Sequence, residues 1–384
     1  MIRRSPVLAA AIAMATPAVH AAEWFVATTG SDATGTGSAA QPFRTLTHVL
    51  DPANEIVAAN DIVTVRGPAG SNLYAECDVR LRVPLTLRSP PGERAHIACD
   101  IHVIDSVAVQ IDPGASGSTL TRLEISGGYY YGVFLQTDWY QGGGEGESGA
   151  TDIVLDDLLI HHTGRDGIKI TPHSDRVTIR NSEIHHTGAI YPPGTSLDDK
   201  NAEGIDNVNA SNMLVEDSYI HDIATTGLYF KGGATDVIVQ RNRIENTGVG
   251  GILVGFDTSP EFFDLGANPG YYEAIRGIVR NNLVRNTGYA GIGLYASRGS
   301  IVANNTIVNT ANLGHAAIYF GITFQDYEPQ AARPANLAPR IRNNLVIQQG
   351  GTCVRVRWSS ELGGLSGLSG NPGTDYNGFR ANAV

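Results

Sequence analysis

The sequence predicts an all-β chain: a single-stranded right-handed parallel β-helix with an N-terminal strand and helix cap. Three observations lead there. A strand–turn–strand pattern recurs with a period near 23 residues. Its apolar positions keep one phase from repeat to repeat. The 384 residues include 45 glycines and only 17% charged residues, a balance that suits many tight turns.

The repeat is clearest where an alternating strand runs into an Asn or Asp, then an aliphatic residue, a short turn and a Gly-aliphatic pair. It reads V-T-I-R-N-S-E-I at 177–184, V-I-V-Q-R-N-R-I at 237–244 and I-V-R-N-N-L-V at 278–284. Aliphatic anchors fall at Ile160, Ile184, Ile220, Ile244, Val284, Ile307 and Val346, with Ile125 one coil earlier. Short gaps between anchors define the coil. Longer gaps carry insertions near 137–150, 189–201, 257–273 and 322–338. A second strand follows most anchors by eight residues, at Val133, Ile168, Leu228, Ile252, Ile292 and Val354. Alternation at this period means strands stacking in parallel, each coil burying its apolar face against the next. Asp157, Asn181, Asp217, Asn242, Asn282, Asn305 and Asn344 read as one polar column that bonds to the coils above and below.

The organisation follows. Residues 1–21 read as a cleaved export signal, with Arg3 and Arg4 ahead of a short apolar run and small residues before the cut. This places the mature protein in the periplasm or outside the cell. Residues 22–67 read as a cap. Trp24–Ala27 is a strand, and Phe43–Ala59 an amphipathic helix covering the first coil, whose exposed edges need shielding. Residues 68–384 are the β-helix, with no convincing final cap in the Gly/Ser-rich stretch 359–384. No later segment is apolar enough to span a membrane. A net charge of −11 argues against binding nucleic acid or anionic lipid. A monomer is expected.

Cys77 and Cys99 lie 22 residues apart, about one coil, so a disulfide between stacked positions and a pair of buried thiols are both open. Cys353 reads as core.

Outward positions of the second strands form columns along the stack. One column runs Tyr131, Asp166, Glu203, Thr226. The next runs Phe134, Lys169, Asp206, Tyr229, and later Tyr319. A third includes Thr171, Lys231 and Tyr295. Charge gathers on three coils with aromatics beside it, as a sugar-binding groove requires. Tyr131, Phe134, His173, Tyr295 and Tyr319 are candidate substrate contacts. Unpaired, the carboxylates of Asp166, Glu203 and Asp206 would repel one another. Either Lys169 and Lys231 neutralise them, or Ca²⁺ sits among them with Asp199 as a further ligand. His161, His185 and His221 share one phase, and His162 and His186 the next. They read as a polar ladder, with a transition-metal site as the alternative.

The run F-V-A-T-T-G-S-D, then Q-P-F-R-T-L and N-D-I-V-T-V-R-G, resembles the opening segment of secreted β-helix polysaccharide lyases, family 9 pectate lyases above all. With the repeat, the resemblance covers nearly the whole mature chain. It implies a calcium-assisted β-elimination on a uronate-containing polysaccharide of pectate, alginate or glycosaminoglycan type. That family carries an Asp-Asp-Gly-aromatic-Asp run that binds calcium, one more Asp from the preceding coil, and a Lys base on the following coil. Here Ala202-Glu203-Gly204-Ile205-Asp206 stands at the run, so Ala202 departs from it. Asp166 takes the preceding-coil position. Tyr229 takes the Lys position, with Lys231 two residues on. Lys231 is therefore the first candidate base, Lys169 the second, and Tyr229 an alternative acid or base. Two other chemistries fit the same fold, C5 epimerisation and glycoside hydrolysis with paired carboxylates. The Pro-His that epimerases carry after such a run is Asn207-Val208 here. A non-catalytic carbohydrate-binding surface protein is the remaining reading.

Overall fold

The structure is a computed structural model that describes residues 21–67, 73–137, 148–323, 333–360, 363–370, 372–375 and 377–381. The export signal expected at 1–21 lies outside these, apart from its last residue, as does most of the 137–150 insertion.

Each coil crosses three parallel sheets in turn. Val154–Asp156 lies in a twelve-stranded first sheet, Leu159–His161 in an eleven-stranded second sheet, and Ile168–Ile170 in a ten-stranded third sheet. The chain then re-enters the first sheet at Thr178–Arg180. The expected anchors pair directly: Ile125 with Ile160, Ile160 with Ile184, Ile184 with Ile220, and so on to Ile307 with Val346. The second-strand positions pair likewise, with Ile205 and Ile318 filling the two coils the sequence pattern left open. The anchors from Ile125 to Val346 are fully shielded from water. Each such aliphatic side chain contributes roughly 1.5–3 kcal/mol by burial, which is what closes the stack into one core.

The corners explain the polar residues. Asp157, Asn181 and Asp217 have φ of 55°, 51° and 51°, and turn the chain from the first sheet to the second. Asn and Asp tolerate this left-handed backbone better than most residues. The buried ladder is the next position along. Leu158 N–H donates to Ser182 Oγ, Ser182 N–H to Ser218 Oγ, and Ser218 N–H to Asn242 Oδ1. Asn242, Asn282, Asn305, Asn344 and Asn377 continue it, each backbone N–H donating to the next amide oxygen at 2.9–3.0 Å. The single column read from the sequence therefore splits into two adjacent phases.

The helix expected at Phe43–Ala59 in the cap is shorter than the sequence suggests. The strand Glu23–Val26 pairs with Ile62–Val65, but the helix covers only Leu46–Leu50. Thr45 caps it, and the Glu76 carboxylate accepts from the N–H groups of Leu46 and Thr47 at the positive end of the helix dipole. Pro52 stops it, because the residue before a proline avoids helical backbone, and a 3₁₀ turn, Pro52–Asn54, follows. Leu46, Val49 and Leu50 are buried against the core. Cys77 and Cys99 are joined as a disulfide between the first coils, and Cys353 is half-buried at the core edge. The C-terminal stretch does not fray into loop. Gly373–Asp375 and Gly378–Ala381 add strands to the first and second sheets.

Candidate functional site

The site is built on the outer face of the third sheet, where register fixes which side chains are neighbours. One outward row runs Arg80, Gln110, Phe134, Lys169, Asp206, Tyr229, Leu253, with strands about 4.8 Å apart. A second row lies just before the Gly-aliphatic pair. There Gly132 N–H donates to Asp166 O, Gly167 N–H to Glu203 O and Gly204 N–H to Thr226 O. The glycine is required by close approach: a Cβ on Gly204 would lie 2.4 Å from Gly227 O and 2.8 Å from Ile220 Cγ2.

These two rows bring Asp166, Glu203 and Asp206 together, each offering an oxygen within 4.8 Å of the others. All three are nearly sealed from water, at 0%, 6% and 1% exposure. Asp166 Oδ1 accepts from Glu203 N–H at 3.0 Å, and Glu203 Oε1 accepts from Thr225 Oγ1 at 2.8 Å. Lys169 Nζ is paired with Asp206 Oδ2. Asp166 Oδ2 and Asp206 Oδ1 have no hydrogen-bond partner among the described residues. Burial first, then the charges of Glu203 and Asp206, push the Asp166 carboxyl well above the usual range. Burial and Asp206 raise Glu203 likewise. Three buried carboxylates beside one ammonium leave an excess of negative charge that favours either a proton or a cation. Asn201 can serve both states. With its nitrogen toward the cluster it donates to Asp166 Oδ1 at 3.2 Å and Glu203 Oε2 at 2.7 Å; turned over, it presents oxygen to the same place.

Three expectations are corrected by this geometry. Asp199 is exposed and accepts from Ser196 Oγ at 2.6 Å in a local turn of its insertion, so it does not join the cluster; Asn201 occupies that side instead. Lys169 is no base. Burial opposes its charge, but Asp206, Tyr131 and Asp166 outweigh it and hold the amine protonated far above the ordinary lysine range. Tyr229, the expected alternative acid or base, and Tyr295 and Tyr319, expected substrate contacts, do not open onto the groove. They are 3%, 6% and 3% exposed and pack with Leu253, Ala290 and Ala316 into a second apolar cluster. Burial, then the carboxylates, keeps the Tyr229 phenol protonated.

Lys231 extends past Tyr229 with its Nζ 4.4 Å above that ring and donates to the Asp257 carbonyl at 2.9 Å. Toward the N-terminal coils the face opens into a groove of about 590 Å³, lined by Tyr131 and Phe134 together with Arg80, Gln110, Tyr130 and Arg165. Arg80 and Gln110 were missed from the sequence because the earliest coils lack the Asn and Gly marks that set the phase; Tyr130 and Arg165 each stand one residue before an outward column, at Tyr131 and Asp166, and fall outside its phase. Arg165 lies 4.6 Å over the Tyr130 ring, and its buried Nε has no partner among the described residues. His173 lies elsewhere, in a separate hollow with Asp175, Asn209 and Asn268. The histidine ladder is on the second sheet: His161 and His185 stack at 5.1 Å, His185 and His221 at 5.0 Å.

A sequence model of the right-handed β-helix region matches residues 107–264. No curated protein matches the sequence. Among solved structures, pectate lyase Pel9A superposes with a TM-score of 0.54 at 12% identity, covering 87% of this chain and 76% of its own. The A-module of mannuronan C-5 epimerase AlgE6 from Azotobacter vinelandii gives 0.54 at 15%, covering 94% and 84%. A GH136 lacto-N-biosidase from Eubacterium ramulus gives 0.58 at 14%, covering 94% and 68%. At these identities the likeness is one of fold. The chain is a right-handed parallel β-helix, built like proteins that act on polysaccharides and oligosaccharides by different chemistries.

Proposed function

We propose that this protein acts on polysaccharide, and specifically that it cleaves a uronate-containing chain by β-elimination with Ca²⁺ at the acidic cluster. The observation that carries the reading is the sealed trio Asp166, Glu203 and Asp206, with two orphaned carboxylate oxygens, joined through the Asp206–Lys169 ion pair to a groove that Lys169 lines with Tyr131 and Phe134. Ca²⁺ takes six to eight oxygen ligands. The trio offers one oxygen each and Asn201, turned oxygen-inward, a fourth, which leaves the remaining positions for water and substrate. Bound there, Ca²⁺ would neutralise a uronate carboxylate and make its C5 proton more acidic.

The chain's own groups account for the rest. Tyr131 and Phe134 offer apolar faces to sugar rings, and Arg165 a guanidinium for a neighbouring carboxylate. Lys231 in its uncharged form takes the C5 proton. The electron pair forms the C4–C5 double bond, the C4–O bond breaks, and the departing oxygen takes a proton from solvent water to leave as the hydroxyl of the released sugar. Lys169 stays an ammonium ion that fixes Asp206. Action on an extracellular polymer agrees with the export signal expected at the N-terminus and with the Cys77–Cys99 bridge, since disulfides persist in oxidising compartments.

A second reading is favoured by one observation. The Asp166 carboxyl is pushed up towards the protonated state that a glycosidase acid needs, within 4.8 Å of Glu203. Product analysis separates the two on pectate, alginate and glycosaminoglycans. Elimination gives ultraviolet-absorbing unsaturated uronate. Hydrolysis gives reducing ends without that absorbance. Epimerisation gives neither, but places solvent deuterium at C5. No unsaturated product from any of these polymers would overturn the elimination reading.

A further inference from the structure

We infer that His96, Glu124 and His161 form a binding site for a divalent transition metal of the zinc type, on the second sheet and separate from the acidic groove. The three residues come from adjacent strands, Ala95–Cys99, Leu123–Gly127 and Leu159–His161. His96 and Glu124 are paired in register, and His161 pairs with Ser126, two residues beyond Glu124 on the same face. Their donor atoms lie within 4.8 Å of one another.

The spacing suits a metal as well as the hydrogen bond that joins His161 Nε2 to Glu124 Oε1. His96 Nδ1 is 3.3 Å and His161 Nε2 is 3.2 Å from the same oxygen, Glu124 Oε1. Charge-assisted hydrogen bonds are shorter, about 2.7–2.9 Å. In a tetrahedral site with bonds of about 2.0–2.2 Å, neighbouring ligand atoms stand roughly 3.3–3.5 Å apart. Two edges of the ligand triangle are therefore already close to the spacing zinc requires.

The outer partners fit as well. Histidine ligands characteristically use their second nitrogen to hold a fixed hydrogen bond. His96 Nε2 lies 2.7 Å from Ser126 Oγ, and His161 Nδ1 lies 2.8 Å from His162 Nδ1. Both partners can accept a proton-bearing nitrogen, which leaves the lone pairs of His96 Nδ1 and His161 Nε2 directed at Glu124. Two imidazoles and a carboxylate, partly open to solvent, leave a fourth position for water. A bound ion would clip three successive coils together.

The test is titration of the full chain, stripped with chelator, with Zn²⁺ against a chromophoric competitor, and with Co²⁺ by visible absorbance. We expect one tight equivalent and the intense Co²⁺ bands of four-coordinate geometry. His96→Ala and Glu124→Gln each weaken binding at least tenfold, and Ser126→Ala, which leaves the fold untouched, weakens it about 10–100-fold. His186→Ala, outside the triad, binds like the parent. Absence of stoichiometric binding, weak octahedral Co²⁺ bands, unchanged affinity in both His96→Ala and Ser126→Ala, or a loss that follows His186 instead would overturn the assignment.

Discussion

Lys169 Nζ and Asp206 Oδ2 meet across two paired strands of the third sheet, with side chains only 8% and 1% exposed. This ion pair, and not a second base, is what Lys169 contributes. It neutralises one of three crowded carboxylates and leaves the other two to share a proton or a cation.

Removing that ammonium should be costly. Lys169→Met leaves Asp206 buried beside Asp166 and Glu203 with no counter-charge, and breaking one side of a buried pair costs about 3–5 kcal/mol. Chemical denaturation checks this. The double variant Lys169→Met with Asp206→Leu should recover much of the loss, because no orphaned charge then remains.

Lys231 should behave differently. Its side chain is only half-buried and its amine bonds a backbone carbonyl. Lys231→Ala should keep the folded circular-dichroism spectrum and the melting temperature while activity falls by about 10²–10⁴-fold, the usual range for a lost general base. A variant that keeps full activity removes Lys231 from the mechanism.

Acid should loosen the histidine ladder. Burial first, then the neighbouring imidazoles of His161, His221 and His186, holds His185 down to about 4. In the unfolded chain it titrates near 6.5. A depressed folded value means the unfolded state binds the proton more readily, so this contribution is present above about pH 6.5 and is lost as pH falls towards 4. Asp166 and Glu203, both raised on folding, act in the opposite sense: their contribution is present at acid pH and lost as pH rises. Melting curves of His185→Asn from pH 7 to pH 4 should show a smaller drop in melting temperature than the parent.

Reducing the Cys77–Cys99 bridge releases a loop of 22 residues in the first coils. The chain-entropy estimate for a loop of this size is about 3 kcal/mol. Denaturation midpoints with and without reductant should differ accordingly, and Cys77→Ser should reproduce the reduced protein.

The sequence made the architecture legible wherever side-chain burial imposes a phase. Ile160, Ile184, Ile220 and Ile244 stack because nothing polar is tolerated at that position. Asp166, Lys169, Glu203 and Asp206 could be grouped for the same reason, since outward neighbours follow from inward register. The corner was harder. Ser182 and Ser218 do the work of Asn242 and Asn282, so the Asn and Asp letters marked two positions and were read as one. Insertions were opaque because no periodicity governs them. Asp199 turned into a local Ser196 contact, and Asn201 came to the site. The burial of Tyr295 and Tyr319 depends on rings outside their strands, Phe256 of the preceding coil on Tyr295 and His315 of the adjoining turn on Tyr319, and strand alternation cannot show such covering.

The most direct test of the central reading is the rate of unsaturated-uronate formation from uronate polymers, followed by ultraviolet absorbance during a Ca²⁺ titration of chelator-treated protein and of Asp166→Asn. The account predicts that absorbance rises only with Ca²⁺ in the parent, and that Asp166→Asn shifts the half-maximal Ca²⁺ concentration upward at least tenfold. Product formed at the same rate in excess chelator, or a titration unchanged by Asp166→Asn, would contradict it.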